Sequence, residues 1–131
     1  MWYYLFNDLI KQSIEATGKD QRRSFLMNNW KNEATDKLCL YLSKLKTQEE
    51  AYAFLEDICT ISEILDISQR LSVAELLCSG ENYSSVGQKT RASSATISRV
   101  SKCLAYGTGG YKMMIERVNG KKSKESEKKD D

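Results

Sequence analysis

The segment between Tyr83 and Leu104 leaves the backbone few choices. It reads Y83-S84-S85-V86-G87-Q88-K89-T90-R91-A92-S93-S94-A95-T96-I97-S98-R99-V100-S101-K102-C103-L104. Val86 on one side, and Ile97 and Val100 three apart on the other, give each half a single inward apolar position or stripe at helical spacing. The spacing predicts a short helix from about Ser84 to Thr90, a turn at Arg91 and Ala92, and a helix from Ser93 or Ser94 to about Leu104. Two short helices across a tight turn make a helix-turn-helix. Gly87 supplies a small residue where the two would cross closely, which offsets a helix cost of about 1 kcal/mol against alanine. The turn position that most often carries glycine carries Arg91, and a left-handed backbone there costs a non-glycine residue about 1 kcal/mol.

The rest of the chain also reads as helix, and no proline interrupts it. Leu38, Tyr41, Leu42 and Leu45 recur at helical spacing from about Glu33 onward. Thr47 with Glu50 is a capping-box pair, opening a helix with Ala51, Phe54, Leu55 and Ile58 inward. Thr60 with Glu63 repeats the signal ahead of a long helix over 61–79, with Asp66 to Ser68 as a candidate break. Gly80 follows as the residue that closes that helix in a left-handed conformation. G107-T108-G109-G110 is a loop, and Tyr111 to Val118 a last helix that Asn119-Gly120 ends. The fold class is therefore all-α, a helical bundle carrying a helix-turn-helix.

A chain of 131 residues, 40% of them hydrophobic, suits one domain. We place it over residues 33–118, after an N-terminal extension at 1–32 and before a charged tail at 119–131. The stretch 121–131 holds no apolar residue and is expected to be disordered. A domain this small has a limited core unless it dimerises. Two readings fit the first residues. Leu5, Phe6, Leu9, Ile10 and Ile14 would share one face of an amphipathic helix, packed on a partner subunit or lying at a membrane surface. Alternatively, Q21-R22-R23-S24 back-translates as CAA AGG AGG AGT, a purine-rich ribosome-binding sequence upstream of Met27, so that translation would start at Met27. The apolar run at the start is too short and too interrupted by Asn7 and Asp8 to span a bilayer.

Histidine is absent. That removes the commonest general base, the Ser-His and Cys-His nucleophile pairs, and the commonest nitrogen ligand for a metal. Cys39, Cys59, Cys78 and Cys103 form no CxxC pair; each lies among apolar residues and is expected to be a buried thiol in a reducing cytoplasm. Neither an enzyme nor a metal site is implied, and no cofactor is expected.

The net charge of +2 conceals an asymmetry. Residues 47–80 carry seven acids against Arg70 alone, and residues 81–118 carry six bases against Glu81 and Glu116. The positive patch thus falls on the helix-turn-helix. On its second helix, Ser94, Ala95, Thr96, Ser98 and Arg99 fall largely on other faces than Ile97 and Val100. Short Ser, Thr and Ala side chains allow close approach to base edges, hydroxyls bond bases or phosphates, and the free amides of a helix start favour phosphate. Ser93 would be both N-cap and phosphate donor, and Lys89, Arg91 and Lys102 would add cations. The reading is a cytoplasmic regulator of transcription, binding duplex DNA. A different class also fits the pattern: a helical protein-interaction module whose acidic helices dock a partner and whose basic patch is incidental.

G80-E81 with Y83-S84-S85-V86-G87-Q88-K89-T90-R91-A92-S93-S94-A95-T96-I97-S98-R99-V100 resembles the Trp-repressor superfamily. The flanking C59-T60-I61-S62-E63-I64, Q69-R70-L71 and K102-C103-L104-A105-Y106-G107-T108-G109-G110-Y111 resemble its YerC/YecD branch. The resemblance covers about residues 33–118. It implies an intertwined homodimer presenting two recognition helices to successive major grooves, with repression as the default outcome. It also implies that Ser94, Ala95 and Thr96 face bases and Ser98 faces phosphate. In the Trp repressor the corepressor indole lies between two arginines, which Arg70 and Arg99 match. Val100 stands where that family has glycine, and Cys103 where it has a serine that helps hold the amino group. Both departures argue against tryptophan. Asp66 is then an alternative partner for Arg70.

Overall fold

The computed structural model describes residues 30–127, and Asn32 opens the first helix among them. Its side chain accepts the amides of Ala34 and Thr35, while the Thr35 hydroxyl accepts the Asn32 amide, a reciprocal cap that satisfies helix-start donors. The helix is α1, Glu33–Leu42, and α2 follows over Gln48–Ile58. Thr47 caps α2 by accepting the Glu50 amide at 3.1 Å, but the Glu50 carboxylate reaches past it to the Lys46 amide. The remaining elements are α3 (Ile61–Cys78), α4 (Tyr83–Thr90), α5 (Ser94–Tyr106) and α6 (Gly110–Glu127). The described residues thus hold six helices and no strand, as the all-α expectation requires. The reading-frame and amphipathic-helix readings of residues 1–26 lie outside the described residues.

The chain divides into two compact units at Thr60–Ile61. In the first, neither α1 nor α2 contains a buried residue, and Leu40, Tyr41, Tyr52 and Ile58 are about half exposed or more. This corrects the inward placement of Ile58. It also corrects the expectation of buried thiols: Cys39, Cys78 and Cys103 are exposed and Cys59 is half-buried.

The second unit has a core of Val73 and Ala74 from α3, Val86 from α4, Ala92 from the turn, and Ile97 and Val100 from α5. Each aliphatic side chain fully withdrawn there contributes roughly 1.5–3 kcal/mol. Leu76, Leu77, Leu104, Tyr111 and Ile115 close around it. α3 is the spine: α4, α5 and α6 all pack on it, and α4 packs on α5. It runs without the break considered near Asp66 to Ser68; the Ser68 hydroxyl bonds back to the Ile64 carbonyl at 2.7 Å, which satisfies it without interrupting the helix. Gly80 ends this spine at φ +89°, with its own amide on the Leu77 carbonyl and the Glu81 amide on that of Leu76, the paired bonds of a Schellman motif. At the other end of the unit, α6 passes through Asn119 and Gly120 to Glu127, where the sequence implied a stop and a disordered tail. Glycine only weakens a helix, and the Lys and Glu residues beyond it are good helix formers.

Two positions expected to carry backbone constraint behave differently from each other. Arg91 adopts φ 56°, ψ 18°, the left-handed conformation the turn demands. A methyl group on Gly87 would meet Ile97 Cδ1 at 3.6 Å and the Ala92 carbonyl at 4.0 Å, which is ordinary contact. The crossing therefore does not require glycine. Arg91→Gly and Gly87→Ala are each expected to raise the unfolding free energy by up to about 1 kcal/mol, read from urea denaturation midpoints.

Candidate nucleic-acid interface

The turn that presents α5 is set by Thr90 and Gln69. The Thr90 hydroxyl donates to the Val86 carbonyl at 2.7 Å and accepts the Ala92 amide at 3.2 Å, bracing both sides of the bend. Gln69 of α3 donates to the Thr90 carbonyl at 3.1 Å, fixing the bend to the spine. The Arg91 amide closes α4 on the Gly87 carbonyl. Ala92, 9% exposed, then anchors the turn in the core.

Ser93 starts α5 as expected, accepting the Thr96 amide at 3.2 Å. Its hydroxyl also lies 3.0 Å from that of Thr96, a pairing the sequence reading missed. From there the helical turn of about 100° per residue sorts the side chains. Ile97 (3% exposed) and Val100 (1%) face the core, with Leu104 beside them. Ala95, Arg99 and Lys102 lie opposite and are exposed, as are Ser93 and Ser94; Thr96 and Ser98 are half-buried at the margins. Arg91, in the turn before α5, is exposed as well. With the Thr96 amide taken by Ser93, the Ser94 and Ala95 amides at the helix start are left without intrahelical partners. The result is an open surface of small hydroxyl-bearing side chains flanked by cations.

Lys89 is engaged differently. Its ammonium lies 2.5 Å from Glu81 Oε1, and the other carboxylate oxygen accepts the Ser85 hydroxyl. The bond from Lys89, then that from Ser85, holds the Glu81 carboxyl below its ordinary range. A group depressed in this way stabilises the fold at neutral pH, and that stabilisation is lost as pH falls below the ordinary glutamate range and through the lowered pKa. Glu81→Gln is expected to flatten the acid limb of a stability–pH curve; an unchanged limb means the pair does not persist in solution.

Arg70, Arg99, Val100 and Cys103 come together, along a cleft of about 360 Å³ on the α3–α5–α6 side of the unit. Ile67, Leu71 and Tyr111 complete its lining, three residues that sequence reasoning did not single out although Leu71 and Tyr111 stood in the quoted motifs. Arg70 faces this cleft, and no ion pair joins it to Asp66 among the described residues. Two arginines and the apolar Ile67, Leu71, Val100 and Tyr111 thus share one lining. No cluster of His, Cys, Asp and Glu that could hold a metal occurs among the described residues, and none of their helices is long and apolar enough to cross a membrane.

Comparison with known proteins converges on one group. A family profile described as Trp repressor protein matches residues 33–119. Over 93 residues the chain is 44% identical to the uncharacterized protein YerC of Bacillus subtilis strain 168, covering 71% of this chain and 89% of that one. A crystal structure of a candidate Trp repressor from Staphylococcus aureus superimposes with a TM-score of 0.68 at 39% identity, over 71% of this chain and 93% of that one. A TrpR-like protein from Eubacterium eligens ATCC 27750 gives 0.67 at 46% identity, over 70% and 95%.

Proposed function

This chain belongs to the Trp repressor protein family, and on that premise we propose that it binds duplex DNA sequence-specifically as a homodimer and represses transcription from the sites it occupies. Family and fold are those of a regulator-type domain rather than of an enzyme class. One observation carries the reading: α5 buries Ile97 and Val100 and leaves Ser94, Ala95, Arg99 and Lys102 open. A recognition helix needs that division, because its polar start must enter a major groove while its apolar stripe keeps it seated. The dimer is supported by α1 and α2, none of whose apolar side chains is fully buried and among which Leu40, Tyr41, Tyr52 and Ile58 are exposed. Their exposed area, with that of Ile61 and Leu65 on α3, is what a second copy would cover.

On this reading Ala95 touches base edges and thymine methyl groups, Ser94 and Thr96 offer hydroxyls to bases, and Ser98 and Arg99 hold phosphate. Tryptophan is not the corepressor we propose, since the arginine cleft is lined by the branched Val100 where the family has glycine, and by Cys103, a poor acceptor. In a titration with promoter fragments, Arg99→Ala is expected to weaken binding to all sequences and lower the salt slope by about 1. Thr96→Val is expected to alter sequence preference instead. Absence of duplex binding at every salt concentration would favour a protein-interaction module.

A further inference from the structure

We propose that Glu81 restrains sequence-independent DNA binding by holding Lys89 in an intramolecular ion pair that phosphate must break. The inference rests on the DNA-binding reading of the same face and adds a residue that limits it. Glu81 is not an ordinary mobile surface acid. Its backbone is fixed one residue beyond the left-handed Gly80, with its amide on the Leu76 carbonyl. The next residue, Asn82, is the N-cap of α4 and accepts the Ser85 amide at 2.9 Å. One carboxylate oxygen then takes the Ser85 hydroxyl and the other takes Lys89 at 2.5 Å. Ser85 and Lys89 are four residues apart and so share a face of α4. Glu81 is 26% exposed at its side chain and Lys89 55%.

Most surface pairs are weak because two long side chains must be ordered to make them. Here the carboxylate is ordered in advance by the Schellman turn and Ser85, so only the lysine loses freedom. Lys89 is exposed and stands in the same helix-turn-helix, two residues before Arg91 and four before Ser93 in the chain. A free cation there would find phosphate on any duplex and add about 0.9 to the salt slope. Paired with Glu81, it adds nothing until the pair opens. Arg91, Arg99 and Lys102 form no such pair among the described residues, and the side chains that read bases are untouched.

The test is a cycle of wild type, Glu81→Gln, Lys89→Met and the double variant, titrated with a mixed-sequence duplex across a salt series, with helicity checked by circular dichroism. Glu81→Gln is expected to steepen the slope by about 0.9 and to tighten binding roughly fivefold to tenfold near 0.1 M salt. In the Lys89→Met background the same change is expected to leave the slope nearly unaltered. Equal slope changes in both backgrounds, or none in either, would overturn the proposal; a pair that only braces α4 would shift unfolding and leave the slope alone. Should the wild type bind no duplex, the DNA-binding reading fails by itself. Salt elution from heparin then reads the same cycle, with later elution of Glu81→Gln that depends on Lys89 as the supporting result and unchanged elution as the contrary one.

Discussion

Shortening Ile97 to alanine is expected to lower the unfolding free energy by about 2–4 kcal/mol, against a total of about 5–15 kcal/mol for a domain of this kind. Ile97 is 3% exposed and joins Val73, Val86 and Val100 in the core that seats the helix-turn-helix. Its Cδ1 reaches toward Gly87, across the crossing of α4 and α5. Truncation leaves a space that neither neighbour fills: glycine has no side chain to move, and Val100 is held on the same helix. The loss therefore combines transfer and cavity contributions. Ala95→Ser, two residues away on the exposed face, is expected to stay within about 0.5 kcal/mol. Urea denaturation of both variants gives the comparison. Equal costs at 95 and 97 would mean that α5 is not seated as described.

The second large effect concerns binding. Arg91, Arg99 and Lys102 are all exposed around α5. If each meets one phosphate, replacing all three by glutamine lowers the salt slope by nearly 3 and weakens duplex binding near 0.1 M salt by two to three orders of magnitude. Lysine at 91 and 99 would keep most of that slope, because the effect follows charge. Lys112 and Arg117 on α6 are exposed cations as well, and glutamine at both is expected to cost much less. Comparable losses from the two sets would indicate diffuse attraction to a basic protein, with no docking through α5.

Much of this geometry was legible in the sequence, and the reasons differ by residue. Gly80, Val86, Ile97 and Val100 were readable because a left-handed C-terminus and a three-residue apolar spacing are local signals with few alternatives. Ser93 as N-cap was readable for the same reason. The cleft was less so: Arg70 and Arg99 are far apart in the chain, and only resemblance joined them, while Ile67 and Tyr111 were invisible without the packing of α3, α5 and α6. Gly87 misled, since a glycine in a helix implied a close crossing that the 3.6 Å approach does not demand. The thiols misled because apolar neighbours do not fix which way a side chain points: Leu77 and Leu104 pack against the core while Cys78 and Cys103, one residue away, are exposed. The Glu81–Ser85–Lys89 cluster carried no sequence signal, because Glu81 lies outside α4 and reaches its partners only through the Gly80 turn.

The central claim is that the polar side of α5 is the surface that meets DNA. Amide hydrogen exchange of the whole chain, with and without a saturating duplex, tests it most directly. The account predicts new protection concentrated between Arg91 and Lys102, with the acidic α2 unchanged. Protection confined to α2 and the start of α3, or none between Arg91 and Lys102 under conditions where the duplex is bound, would contradict it.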